Sequence, residues 1–266
     1  YMTTHFSTGV TNVRGKSGAT SLFAGMKQPL ITGGDPAAEF VYQNDFHHYN
    51  AGDWDVTSGG ASDYQVAQYA HGWLRLGDAN PAAGEITGLS SKEVWQYNSS
   101  KKWYYETSIA VTDVSDGNIF VGFADNGFVD PATVPTDCIG FSHLEDTTTI
   151  QFISRKNGAG TSFDMLSSAG GSNFTLEDST IATQTATVLA QPSNSVRLGF
   201  AFQPAGTELG QTSAQYKLYL NGNIVGTQAA TTVPDDIALE LKVFLENKGT
   251  NANDIYTDYI ISAQQR

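Results

Sequence analysis

Carboxylates, imidazoles and exposed rings are the side chains in this sequence on which chemistry would draw. General acid and base work on a glycosidic bond needs two carboxyl groups held a few ångströms apart, and a Glu-x-Asp-x-x-Glu strand is one way to hold them. Glu240 is followed by Leu241, Lys242 and Val243, with Glu246 six positions on, so the central Asp is missing. Asp113 and Asp116 stand three apart beside a Ser-Asp-Gly turn. Neither spacing supports catalysis, and the expectation is a protein that is not an enzyme and has no catalytic residue. The histidines are His5, His47, His48, His71 and His143, none at a metal-ligand spacing such as His-x-x-x-His. His47 and His48 are adjacent, and adjacent strand residues point to opposite faces.

Hard oxygen ligands gathered on one turn can hold calcium. Asp125-Asn126 and Asp130, the Asp235-Asp236 pair after Pro234, and Asn251, Asn253 and Asp254 are the candidates. Asx side chains also close turns without any ion, and that reading is preferred, so no metal and no cofactor is expected. Trp54, Trp95, Tyr97, Tyr64 and Tyr69 fall in loop-like or strand-edge contexts where a ring could stack on a sugar. Rings in such places serve more often in a core or an interface.

These groups must be positioned by strands. Tyr216 to Thr227 has two alternating apolar runs meeting at Asn221-Gly222, residues that accept the positive φ angles of a type I′ hairpin turn. Trp103 to Val111 alternates, with Tyr105, Thr107, Ile109 and Val111 on one face, and Ile119 to Ala124 is a nearly continuous apolar run suited to a strand buried on both sides. Segments 40–46, 73–76, 139–141, 149–154, 195–202, 239–245 and 256–263 extend the series. The span from Gly158 to Asn173 reads as a long loop or an irregular hairpin. About a dozen antiparallel strands separated by turn signals describe a sandwich.

Composition agrees, with 15% charged residues, 11% aromatic residues and 27 glycines in 266 residues, enough chain for one large all-β domain. The first 40 residues carry Arg14, Lys16 and Lys27 against Asp35 and Glu39, a net +1, so the remainder stands at −14 of the total −13. An acidic body repels phosphate, which excludes nucleic acid and anionic membrane as its partners. Cys138 is the single cysteine, so neither an internal disulfide nor a Cys-based zinc site can form. No apolar run approaches the roughly 18–20 residues of a membrane helix, and the first residues lack an apolar signal-peptide core; the expectation is a soluble chain not exported by the usual route.

Residues 2–38 hold scattered hydrophobes among Ser, Thr and Gly without a sustained period, and the breaker cluster Gly33-Gly34-Asp35-Pro36 closes them. The organisation expected is an extended arm over 1–38 and a sandwich over 39–266.

Phe40 to Phe46, Lys102-Trp103-Tyr104-Tyr105-Glu106, Val121-Gly122-Phe123-Ala124, Lys217 to Gly226 and Asp258-Tyr259-Ile260 together resemble the concanavalin-A-like jelly roll of legume lectins and laminin-G modules. The late hairpin form Tyr-x-Asn-Gly-x-x-Val-Gly is matched by Tyr219 to Gly226. The resemblance implies an all-β, concanavalin-A-like jelly-roll sandwich of two antiparallel sheets, behind an extended N-terminal arm. The Gln-x-His and Tyr-x-Lys-x-Gly strands of the alginate-lyase branch are missing. The opening Met2 to Val13, the Phe-rich entry strand and the ending Tyr256 to Arg266 further resemble virion structural proteins of tailed bacteriophages. That second resemblance implies a capsid-decorating protein on the capsid surface of a virion, with the major capsid protein as partner and a symmetric homo-oligomer as its state. In it, Phe6, Val10, Val13, Leu22, Phe23 and Met26 are apolar anchors, and Arg14, Lys16 and Lys27 meet acidic shell groups. The alternative is a carbohydrate-binding module or lectin-like protein whose partners are glycans.

Overall fold

Period-two alternation demands a face for its apolar half, and each long strand finds that face in the space between two sheets. A computed structural model of the chain describes residues 39–46, 49–59, 64–68, 72–78, 82–112, 117–144, 149–165, 195–207, 210–249 and 253–265. In chain order the strands are β1 (Glu39–Asn44), β2 (Trp54–Gly59), β3 (Tyr64–Gln68), β4 (Leu74–Asp78), β5 (Ile86–Gln96), β6 (Trp103–Val111), β7 (Gly117–Ala124) and β8 (Cys138–His143). They continue as β9 (Gln151–Lys156), β10 (Ala159–Asp164), β11 (Val196–Gln203), β12 (Gln215–Leu220), β13 (Asn223–Ala229), β14 (Ala238–Asn247) and β15 (Asp254–Gln265).

One sheet runs β13-β12-β11-β6-β15-β4-β3, with β1 also paired to β15; the other runs β10-β9-β8-β7-β14-β5-β2. Every pairing is antiparallel. Leu239, Leu241, Val243 and Leu245 of β14 point between the sheets, as do Ile119, Val121 and Phe123 of β7 and Tyr105, Ile109 and Val111 of β6. Rings fill the middle: Phe123 lies 4.7 Å from Trp103 and 5.4 Å from Tyr105, and Phe200 lies 5.5 Å from both Tyr105 and Phe152. Such pairs add about 0.5–1.5 kcal/mol each to the burial of their area.

The hairpin read at Asn221-Gly222 joins β12 to β13, with φ of 50° and 77° at the two turn residues. A second Asn-Gly turn, at Asn157-Gly158 with φ of 51° and 76°, joins β9 to β10 at the start of the span expected to be a loop or irregular hairpin. The strands β2, β3 and β5 were not legible by alternation. In β5 the reason is physical: Ser90 pairs with Lys242 and Val94 with Glu240, so extra residues bulge out and shift the apolar period midway.

The outer face of the second sheet is covered in part, over β7, β8, β9 and β14. The 125–137 loop after β7 folds back over it, setting Phe128 4.9 Å from Phe120 and 5.9 Å from Phe244, with Ala124, Cys138, Ile153 and Val134 alongside. Gly88 makes room for the Phe244 ring, since a Cβ there would lie 2.4 Å from it.

Candidate functional site

Of the carboxylates weighed for catalysis, Glu240 and Glu246 do not meet. Glu240 and Glu246 share the outer face of β14, but six residues of strand separate them by about 20 Å, against the roughly 5–9.5 Å that glycosidic acid and base pairs use. Each has a structural partner instead. Glu240 holds Lys242 at 3.0 Å, and Glu246 accepts from Asn118 at 2.7 Å and pairs with Lys248 at 2.9 Å. Lys242 is only 1% exposed, its Nζ also donating to Ser90 Oγ at 3.2 Å and to the Asn126 carbonyl at 3.4 Å. That ammonium pins the 125–137 loop to the sheet. Asp113 and Asp116 lie outside the described residues, as do His5, His47, His48 and His71, while His143 is buried with Nδ1 3.0 Å from the Thr149 carbonyl.

Asn251 lies outside the described residues, and the carboxylates among the other calcium candidates are engaged within the protein. Asp125 accepts from the Thr136 hydroxyl at 3.0 Å, and Asp130 from the Ala132 N–H at 2.9 Å. Asn253 accepts from Thr112 at 2.8 Å, and Asp254 pairs with Arg75 at 2.9 Å. Among the described residues no three His, Cys, Asp or Glu side chains gather as metal ligands.

Trp54, Trp95 and Tyr97, weighed as sugar platforms, are buried core rings. Loop-like contexts in the sequence concealed inward-facing positions; Trp95 stacks on Trp103 at 6.3 Å, and Tyr97 packs 4.7 Å from Trp103 and 5.0 Å from Phe202. The side chains of Tyr64 and Tyr69 lie outside the described residues, and so do Phe6, Val10, Val13, Arg14, Lys16, Leu22, Phe23, Met26 and Lys27 of the arm.

What the fold does assemble is a groove across one end of the sandwich. The ends of β5 and β15 and the starts of β1, β6 and β14 meet there, as the pairs Gln96 with Ala238, Trp103 with Gln264 and Glu39 with Gln265 require. Three depressions join along it. The first, of about 440 Å³, lies between the Lys156-Asn157 turn and Thr231 to Asp235, with Ser99 at its edge. The second, about 360 Å³, shares Ser99 and Asp235 and adds Gln96 and Asn98 above the Tyr97 ring. The third, about 340 Å³, shares Gln96 and Asn98 and ends on Phe40, Val94, Gln264 and Gln265.

The groove is braced from below and from the side. Ser154 Oγ, buried between the sheets, donates to the Thr232 carbonyl at 2.8 Å and meets the Tyr216 hydroxyl at 3.0 Å, fixing the 230–237 segment. Lys156 holds Asp235 at 2.7 Å and Asp236 at 3.3 Å. That hydrogen bond lowers the Asp235 carboxyl below its ordinary value, with the Ser99 hydroxyl helping, and raises the Lys156 ammonium. The Gln264 amide, oriented to satisfy both its ends, accepts from the Asn98 N–H at 2.9 Å and donates to the Gln96 carbonyl at 3.3 Å. Under the floor, burial pushes the Tyr97 hydroxyl far up, and it stands beside Tyr216 without a well-formed hydrogen bond. At the third depression Phe40, 37% exposed, sits edge-on to Trp95 at 4.8 Å, and Val94 is 63% exposed. Apolar surface at one end and amides, hydroxyls and carboxylates along the rest make an amphipathic trough.

Two antiparallel sheets packed face to face, with the trough built from the loops at one rim, define a concanavalin-A-like jelly roll. Among solved structures, the carbohydrate recognition domain of Emp47p superposes with a TM-score of 0.52 at 10% identity, over 86% of this chain and 97% of that one. The kappa-carrageenase of Pseudoalteromonas carrageenovora, solved with an oligosaccharide of kappa-carrageenan, gives 0.47 at 14% identity over 90% and 100%. The binding domain of botulinum neurotoxin DC gives 0.46 at 10% identity over 84% and 47%. No protein-family profile matches the sequence, and no curated protein sequence matches it.

Proposed function

We propose that this chain is a lectin-like glycan-binding module that holds an oligosaccharide in the rim groove. The observation that carries the reading is the groove's continuity: three depressions in a row, with Gln96, Asn98, Ser99 and Asn157 offering both donors and acceptors, and Phe40 with Val94 offering an apolar end. A pyranose chain has that mixture, hydroxyls at its edges and C–H patches on its faces, and few-point polar contact beside apolar surface is how such ligands are oriented. The likeness of fold to a carbohydrate recognition domain supports the same reading. Glu240 and Glu246 are engaged with other side chains and stand too far apart to work as an acid and base pair, which supports binding as the role.

The test is direct binding of oligosaccharides to the purified protein by glycan array and calorimetry, with Gln96→Ala and Asn98→Ala alongside. Saccharide binding weakened about tenfold by either substitution, the worth of one hydrogen bond to a polar ligand, is expected. A folded protein that binds no glycan would sink the proposal. Attachment to a capsid through the arm rests on the resemblance of residues 2–13 and 256–266 to virion proteins. Deleting residues 2–36 and measuring retention on empty capsids tests that second role separately.

A further inference from the structure

Resting on the glycan reading of the groove, we infer that it takes uncharged saccharide chains and turns away sulfated and uronic ones. Among the described residues that line the groove, Lys156 is the one cation, and both Asp235 at 2.7 Å and Asp236 at 3.3 Å are on its ammonium. Two carboxylates against one ammonium leave this wall with a net negative charge. A sulfate or carboxylate arriving here has two options: to displace a carboxylate from Lys156, or to lie beside Asp235 and Asp236 as a like charge. Like charges brought together across an interface cost binding steeply. The net charge of −13 over the chain adds repulsion during the approach.

An uncharged chain meets neither obstacle. Ionised carboxylates accept hydroxyl hydrogen bonds, and the side chains of Gln96, Asn98, Ser99 and Asn157 can donate and accept. The ion pair has a second effect, since it holds the 230–237 segment against the Lys156-Asn157 turn and so fixes the width of the first depression. Asp235 and Asp236 are therefore specificity residues: they neutralise the cation that an anionic glycan would otherwise use.

The experiment compares neutral gluco- and manno-oligosaccharides with sulfated galacto-oligosaccharides and oligogalacturonates of equal length, by calorimetry in physiological salt. Wild type, Asp235→Asn, the double variant Asp235→Asn with Asp236→Asn, and Lys156→Gln are used, each checked for folding by circular dichroism. Wild type is expected to favour the neutral chains by about tenfold or more, a gap of roughly 1.4 kcal/mol. The double variant releases Lys156 and narrows that gap, and Asp235→Asn alone narrows it partly should the double variant fold poorly. Lys156→Gln keeps the neutral preference. Anionic chains bound as tightly as neutral ones by wild type would overturn the inference and leave the glycan reading standing. An unchanged gap in both asparagine variants would also overturn it. Binding of neither class would overturn both readings.

Discussion

Asn157-Gly158 and Asn221-Gly222 close hairpins with almost the same backbone, φ 51° and 76° in the first and 50° and 77° in the second, yet they stand at opposite ends of the sandwich. Asn221 is bound to its own sheet: its Oδ1 accepts from the Arg197 N–H at 3.0 Å and its carbonyl from the Arg197 guanidinium at 3.1 Å. The Asn157 turn is bound to other loops. Its N–H goes to Asp137, the Gly158 N–H goes to the Thr136 carbonyl at 2.9 Å, and the preceding Lys156 reaches Asp235 and Asp236. One dipeptide thus gives one turn and two roles. The local code sets the backbone, and the segments that reach the turn decide whether it closes a strand pair or forms the wall of a groove.

The comparison can be broken at the core first. Trp103→Ala removes a ring packed among Trp95, Tyr97 and Phe123, and is expected to cost about 3–5 kcal/mol. If one core serves both ends, hydrogen exchange at both hairpins should rise together and denaturant unfolding should stay a single transition; loosening of only the Asn157 end would refute that. Smaller effects come from the turns. Gly158→Val and Gly222→Val each force a branched residue into the left-handed region, at about 1–2 kcal/mol. Gly222→Val should be the worse in thermal melts, because its Cβ would meet Arg197 at 3.2 Å while that of Gly158 meets open space. Glycan affinity should fall in Gly158→Val alone.

Smaller again, Asn221→Ala loses the acceptor for the Arg197 N–H, about 1 kcal/mol, and leaves glycan binding as it was. Asn157→Ala should be milder for stability, since its contact with Asp236 is 3.5 Å long, but should weaken binding. The least effect concerns pH. Lys156 holds the Asp235 carboxyl below its ordinary 3.8, so the bond's contribution is present above that value and is lost as pH falls through the folded-state value. Melting temperature against pH should therefore fall more steeply on the acid side for wild type than for Asp235→Asn. Glu106 and Asp254, whose carboxyls burial pushes up, act with the opposite sign and cancel in the difference. Parallel curves would show that Asp235 contributes nothing to the fold.

Most strands announced themselves because alternation and continuous apolar runs are local. Tyr105, Ile109 and Val111 fell on the inner face as read, and Asn221-Gly222 closed its hairpin. The turn at Asn157-Gly158 carried the same signal, and polar Thr and Ser around it obscured the flanking strand β10. Strand β5 hid behind its bulge. Trp54, Trp95 and Tyr97 looked like rim residues because their neighbours are polar, whereas direction of a side chain depends on which sheet faces it. The groove was scarcely legible. Its lining comes from positions near 40, 96, 156, 235 and 264, and only the pairing of distant strands brings those together; Asp235-Asp236 stood out only as a calcium candidate, and Trp95 and Tyr97 only as stacking rings, whereas they lie beneath the groove.

The pairing of Glu39 with Gln265 puts the start of β1 and the end of β15 beside the third depression. A purification tag, a fluorophore or a surface tether joined after Gln265 is delivered to the mouth of the groove. A sensor built on this protein would do better to grip it at the far pole, through a cysteine introduced near Asn223 on the exposed hairpin. Held there, the molecule would present its grooved rim outward, and the choice of attachment point becomes a choice of which way the groove looks.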